Sequence, residues 1–317
     1  MRALDRWQQR HAVVAFVVGV VKKYGDDRGS SLAVMLTYYG FMAIFPLLLI
    51  LTTILGFIGN ATIANSIIGT TLKQFPVYGD QIGKNASRPL TGSVPALILG
   101  LVVLLYGAMG VAQAAQHAMA QLWNVPGVTR PGFVARLVRG LLFFLALGVG
   151  MAVTALVSGL ATAGGHSVVM QIVTLLGSVA LDVALYLMAF RIITPAQVAT
   201  DHLLVAAAVG GVGYWVLLTI GTALIQHQLR HADAVYGQYA FVLGFMTWLN
   251  LVAQVSLYAV EVNVVLERKL WPRGIVQPPL TRADRQVLHD IARQEERRPE
   301  EQVQVGFDPR DRGREED

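Results

Sequence analysis

The chain has 317 residues and no cysteine; 54% of its residues are apolar or aromatic and only 14% are charged. Ordinary soluble domains carry roughly 25% charged residues, and the mean hydropathy here is +0.53. A soluble enzyme, a disordered chain, disulfide staples and thiolate metal sites are therefore all excluded.

The first segment, residues 1–29, imitates a signal peptide. Arg2, Arg6 and Arg10 precede a short apolar stretch, Ala12–Val21, but Lys22 and Lys23 follow it and no small-residue cleavage site does. The stretch is too short to span a bilayer. Val13, Val17, Val20 and Tyr24 share one helical face, as do Val14 and Val21. An uncleaved amphipathic helix at the cytoplasmic interface, with Trp7 near the headgroups, is the expectation.

Six long apolar runs follow within residues 30–267: Ala33–Phe57, Val94–Ala115, Leu137–Leu160, Val168–Ile193, Leu203–Ile225 and Tyr239–Leu266. Each is near the roughly 20 residues that cross a bilayer. In lipid every backbone polar group needs a partner inside its own segment, so the runs are read as helices. Span one carries Tyr38, Tyr39 and Pro46; Pro46 removes one backbone hydrogen bond and is a candidate hinge. Between spans one and two, residues 60–93 form a loop with a short amphipathic helix expected around Ile63, Ile67 and Leu72. Span five holds Gly210, Gly211, Gly213 and Gly221, read as packing positions. His227, His231 and Asp233 are read as a solvated loop after it rather than a metal site. The tail, residues 268–317, starts with Trp271-Pro272 and Pro278-Pro279. Thr281-x-x-Asp284 then opens a helix expected to reach about Arg298, with a charged, disordered end beyond.

Basic residues favour the cytoplasmic side of a span. Arg2, Arg6, Arg10, Lys22, Lys23 and Arg28 precede span one, Arg130, Arg136 and Arg139 follow span two, and Arg191 ends span four. Eleven more lie from Arg268 onward, leaving Lys73, Lys84, Arg88 and Arg230 for the other side. Both termini are thus expected in the cytoplasm. Residues 1–265 carry net charge +6 and residues 266–317 net −1. The basic excess follows the membrane flanks, so nucleic acid is not an expected partner.

Ionisable groups at membrane depth are costly and mark candidate sites. Asp182 lies about eleven residues inside span four, roughly 16 Å deep at 1.5 Å per residue. Arg191 is nine residues on, which at about 100° per residue puts it on the opposite face. Gln171, Thr174, Ser178 and Tyr186 share the face of Asp182. Span six has a narrower stripe, Asn250, Gln254, Tyr258 and Glu261, and span two ends with Tyr106, Gln113, Gln116 and His117. Spans two, four and six are expected to turn these stripes towards a shared, partly hydrated centre. The candidate pathway is Asp182, Gln113, His117, Ser178, Asn250, Gln254 and Glu261; interhelical hydrogen bonding is the alternative reading of the amides and hydroxyls. No GxSxG elbow, phosphate loop, dinucleotide fingerprint or HExxH is present. No enzyme activity, cofactor or metal is expected.

The chain is similar to the YihY/BrkB family of bacterial inner-membrane proteins. The resemblance rests on Leu32-Ala33 through Tyr38-Tyr39, Phe45-Pro46-Leu47-Leu48, Tyr236-Gly237, Trp248 and the ending Ala259-Val260-Glu261-Val262-Asn263. It covers roughly residues 15–270, and Tyr258 stands where the family ending has glycine. The resemblance implies an all-α, six-helix bundle in the bacterial plasma membrane. Some members carry an old ribonuclease label, which no residue cluster here supports. Others are linked with envelope lipid traffic and resistance to host killing. The function expected is movement of a lipid or other amphiphile. The alternative is a non-transporting scaffold that recruits envelope-assembly proteins through its ends.

Overall fold

The computed structural model describes residues 1–58, 94–163, 168–195, 197–236 and 238–307, and every regular element among them is helical. Two short helices come first, α1 (Arg2–Arg10) and α2 (Ala12–Asp26). Six long ones follow: α3 (Gly29–Ile58), α4 (Val94–Leu122), α5 (Phe133–Ala163), α6 (Val168–Ile193), α7 (Leu204–Tyr236) and α8 (Gln238–Arg268). A last helix, α9, runs over Arg282–Arg293. By length and composition alone, four described segments suffice to cross a membrane: Phe133–Gly150, Leu175–Ile193, Asp201–Gly221 and Val242–Arg268. Their surfaces are apolar outward. On α5, Val138, Leu141, Leu142, Leu145 and Val149 are exposed at three- and four-residue spacing, a stripe that water would penalise and lipid would not.

The six long helices pack in a closed order: α3 on α4, α4 on α5, α5 on α6, α6 on α7, α7 on α8, and α8 back on α3. Helix α8 also touches α2 and α4, so it is the axis of the assembly. Glycines set the close approaches. A Cβ on Gly107 would stand 3.2 Å from the Ala43 Cα, and one on Gly211 would stand 2.7 Å from the backbone nitrogen of Val183. Gly210 lies against the Tyr186 ring and Gly221 against Trp248, which is the packing role expected for the glycines of this span. Because backbone cannot move aside as a side chain can, Gly211→Ala is expected to wedge α6 from α7 and cost about 1–3 kcal/mol. Unfolding of the purified protein in mixed micelles would show it as an earlier transition; an unchanged midpoint would refute the contact.

Two of the long helices end on left-handed residues. Asn124 (φ 46°) follows α4, where the Val125 N–H bonds to Ala120 O at 2.9 Å and the Asn124 N–H to Gln121 O at 2.9 Å. Lys269 (φ 52°) ends α8 with the same pair of bonds, from Leu270 to Val265 O and from Lys269 to Leu266 O. This termination turns the chain sharply and satisfies the last carbonyls.

Three expectations change. Helix α7 runs on to Tyr236, so His227, His231 and Asp233 are helical rather than in a loop. The apolar run stops at Ile225, but good helix formers such as Gln, Leu, Arg and Ala carry the backbone further. Helix α9 stops at Arg293, five residues short of the expected end; Gln294 is turned onto α4 instead, with its Nε2 3.1 Å from Ala120 O. In α2, Val20 and Tyr24 are buried while Val13, Val17 and Val21 are exposed, so its apolar residues divide between two faces. The short helix expected around residues 63–72 lies outside the described residues. Pro46 falls within α3, and its side chain is outside them too.

Candidate functional site

Helix α6 is oriented by its contacts. Leu185 packs against Gly150 of α5, while Val183 and Tyr186 pack against Gly211 and Gly210 of α7. Asp182 stands three and four residues before Leu185 and Tyr186, so it lies on the side between these neighbours. The side away from it is exposed, with Val173, Leu176, Ala184 and Met188. Arg191 is exposed and makes no ion pair with Asp182. Asp182 is half-buried and, among the described residues, has no hydrogen-bond or ion-pair partner. Tyr186 stands one turn on from Asp182, and its ring lies 6.2 Å from that of Tyr214. Tyr186 OH meets Ser256 Oγ at 3.0 Å, and Ser256 donates to Val252 O at 2.8 Å. With the serine proton committed to that carbonyl, the phenol is the donor of the first bond. Ser178 is half-buried one turn before Asp182 and bonds its own helix, at Leu175 O (2.8 Å).

The α8 stripe faces elsewhere. Gln254 Nε2 donates to Asn250 Oδ1, Asn250 Nδ2 to Thr37 Oγ1 (3.2 Å), and Thr37 Oγ1 to Ala33 O (2.7 Å). This relay fastens α8 to α3. Among the described residues, Ser256 and not Gln254 is the α8 residue whose side chain bonds the helix of Asp182. Helix α4 presents Tyr106, Gln113 and His117 on an exposed face with Ile98 and Val102; its buried faces carry Ala112, Ala115, Gln116 and Leu122. The structure therefore gathers Asp182, Tyr186, Tyr214 and Ser256, and brings neither Gln113 nor His117 to them. A polar stripe specifies which residues share a face. The neighbour that face meets is set by packing along the rest of the helix.

Glu261 lies in a different cluster, at the end of the bundle where both chain ends pack. Lys23 and Glu261 are 0% exposed, 4.0 Å apart. Lys23 Nζ also bonds the Asp27 carboxylate and Leu122 O (3.2 Å). Asn124 Nδ2 reaches Asp27 Oδ1 at 3.3 Å. The second half of the cluster holds Arg273, 1% exposed, between Asp26 (2.7 Å) and Asp284 (2.8 Å), with Lys22 3.0 Å from Asp284. Burial alone would raise the Asp284 carboxyl, but the Gly274 N–H and the Lys22 and Arg273 cations bring it down to about 2. Asp284 also closes the capping box of α9 with Thr281. Arg268 bonds Asp290 and Trp123 O (2.7 Å) and lies over the Trp123 ring. Gln8 of α1 donates to Arg273 O at 2.7 Å, and Ile275 N–H donates to Asp5 at 2.8 Å. The first nine residues of the tail and α9 are thus a docked cap, not a solvated extension.

The cap carries a pH dependence. Asp284 has a depressed pKa in the fold, so its stabilisation is complete above the ordinary value of 3.8 and fades as pH falls towards about 2. That shift corresponds to about 2 kcal/mol. Thermal unfolding between pH 5 and 2 is expected to show the decline in wild type and a flatter profile in Asp284→Asn.

The ending Ala259–Asn263 is structural in its details. Ala259, Val260 and Asn263 are buried, and the Asn263 amide donates to His202 O at the start of α7. His202 Nδ1 is 2.7 Å from Glu267. Tyr258, the departure from the family ending, stacks on Tyr24 of α2 with ring centroids 4.0 Å apart. Gly29 leaves room for that ring, since a Cβ there would stand 2.3 Å from it.

The family model described as Virulence factor BrkB matches residues 20–280. The match begins within α2, at Val20, and ends at Leu280, before α9. No curated protein and no solved structure matches the chain.

Proposed function

Because the chain belongs to the Virulence factor BrkB family of membrane proteins, we propose that it is a six-span protein of the bacterial plasma membrane that moves a lipid or other amphiphile during envelope assembly. Spans α3 to α8 make up the six, and both termini lie in the cytoplasm. The charge asymmetry of the sequence supports that orientation, and the contact of α1 and α2 with the tail supports an even number of spans, since both ends sit at one end of the bundle. Exposed Leu4 and Trp7 on α1 suit the headgroup layer.

The observation that carries the reading is Asp182: an inward, half-buried carboxylate at membrane depth with no counter-ion among the described residues, one turn from Tyr186, which meets Tyr214 and Ser256. A carboxylate is an expensive adhesive in lipid, and among the described residues this one holds nothing. It suits binding of a cationic group or exchange of a proton during a transport cycle. The protein acts by movement and not by bond chemistry, and needs no cofactor or metal.

A scaffold for envelope-assembly proteins is the second reading, favoured by the folded cap with its exposed α1 and α9 surfaces. Deleting residues 272–317 does not separate the two, because it removes the buried Arg273 and Asp284 and damages either kind of protein. The separating experiment is flux of labelled lipids and solutes in proteoliposomes, wild type beside Asp182→Asn, with and without a proton gradient. Asp182-dependent flux is expected; folded wild type without flux across a broad lipid panel would favour the scaffold.

A further inference from the structure

Arg136 and Arg139 sit in the first two turns of α5. Arg136 is four residues before Gly140, whose Cβ position is 3.0 Å from Ala112 of α4. Arg139 is eleven residues before Gly150, which meets Leu185 of α6. Four residues are one helical turn and eleven are three, at about 100° each. The two arginines therefore lie on the faces through which α5 meets α4 and α6, while its lipid-exposed stripe runs through Val134, Val138 and Leu141.

Neither side chain has a carboxylate or hydrogen-bond partner among the described residues, yet Arg139 is half-buried. The acids of the cap are already engaged: Asp26 and Asp284 with Arg273, Asp27 with Lys23, Asp290 with Arg268. Between residues 125 and 200 the only acid is Asp182, deep in α6. Beside the arginines, Gln116 donates Nε2–H to Arg136 O at 3.1 Å and leaves its own Oε1 buried without a donor. An unpaired buried acceptor is costly, so this corner lacks an anion and a hydroxyl at once.

We propose that Arg136, Arg139 and Gln116 form an entry site for the headgroup of an anionic, hydroxyl-bearing phospholipid. The guanidinium forks take the phosphate oxygens, and Gln116 Oε1 accepts from a headgroup hydroxyl. A lipid rather than a soluble phosphate is the occupant, because exposed Phe133, three residues before Arg136, and exposed Leu142, three residues after Arg139, flank the arginines at helical spacing and give acyl chains a surface. The site deepens the transport reading by naming the cargo class. Its test is binding, so the two fail separately: headgroup selectivity without flux removes transport alone, and flux without headgroup selectivity removes this site alone.

The experiment is native mass spectrometry of the full chain with phosphatidylglycerol and phosphatidylcholine in equal amounts. Wild type is expected to retain phosphatidylglycerol roughly tenfold better, the size of one charge-assisted contact. Arg136→Gln/Arg139→Gln is expected to bring the ratio near one, and Arg139→Lys, which keeps the charge without the fork, to lower it by roughly a factor of three. Arg191→Gln, on the outward face of α6, is expected to leave it unchanged. A ratio that persists in the double variant, or falls equally in Arg191→Gln, overturns the proposal. So does displacement of the lipid by millimolar glycerol phosphate, which would make the site one for a soluble anion.

Discussion

Asp182→Asn is expected to slow flux roughly 10- to 100-fold while leaving the bundle as stable as wild type or more so. The two halves come from one observation. Asp182 has no partner to lose among the described residues, and exchanging an uncompensated carboxylate for an amide of the same shape removes a membrane-depth charge. Structural roles predict the reverse, since breaking a working ion pair destabilises. The loss of rate reflects one charge-assisted hydrogen bond to cargo or proton, worth about 1.5–3 kcal/mol. Initial rates in proteoliposomes, set beside unfolding midpoints of the same preparations, check both halves. Wild-type flux in the variant would remove Asp182 from the pathway.

Lys23→Met is expected to be the most damaging single change in the cap, at about 3–5 kcal/mol. The ammonium is wholly buried between Asp27 and Glu261 and bonds Leu122 O at the end of α4. Removing it leaves two carboxylates in a dry site with no cation of their own. The arrangement also makes the loss reversible: Lys23→Met with Glu261→Gln should recover a substantial part, because one of the stranded charges disappears with its partner. Melting of the single and double variants measures the coupling directly. If the double variant is no better than the single, Lys23 acts through Leu122 O and packing and not through Glu261.

The membrane helices are legible in the chain because their signal is local. A long apolar run is a sufficient instruction for a long helix, and Val168–Ile193 is bounded identically in sequence and structure. Helix ends are less legible, since Asn124 and Lys269 terminate helices by adopting left-handed φ that other residue types also reach. Periodicity put Ser178, Asp182 and Tyr186 on one face, and that face is inward. It also put Asn250 with Gln254, which meet Thr37 of α3 rather than Asp182. Ser256, the residue that does reach α6, belongs to no stripe. The cap was the least legible part: Thr281 and Asp284 announce a helix start, but nothing nearby announces that Asp284 will meet Lys22, 262 positions earlier.

That separation sets an order of events at the ribosome. Lys22 is made 262 residues before Asp284, and Asp26 is made 247 residues before Arg273. At about 5–20 residues per second, the early charges wait roughly 13–50 s for their partners. Throughout that interval α2 has no finished surface to settle on, because the end of α8 and the 273–284 turn do not yet exist. Helices α1 and α2 must therefore wait undocked until those elements have been made, so the cap closes only after every long helix it joins exists.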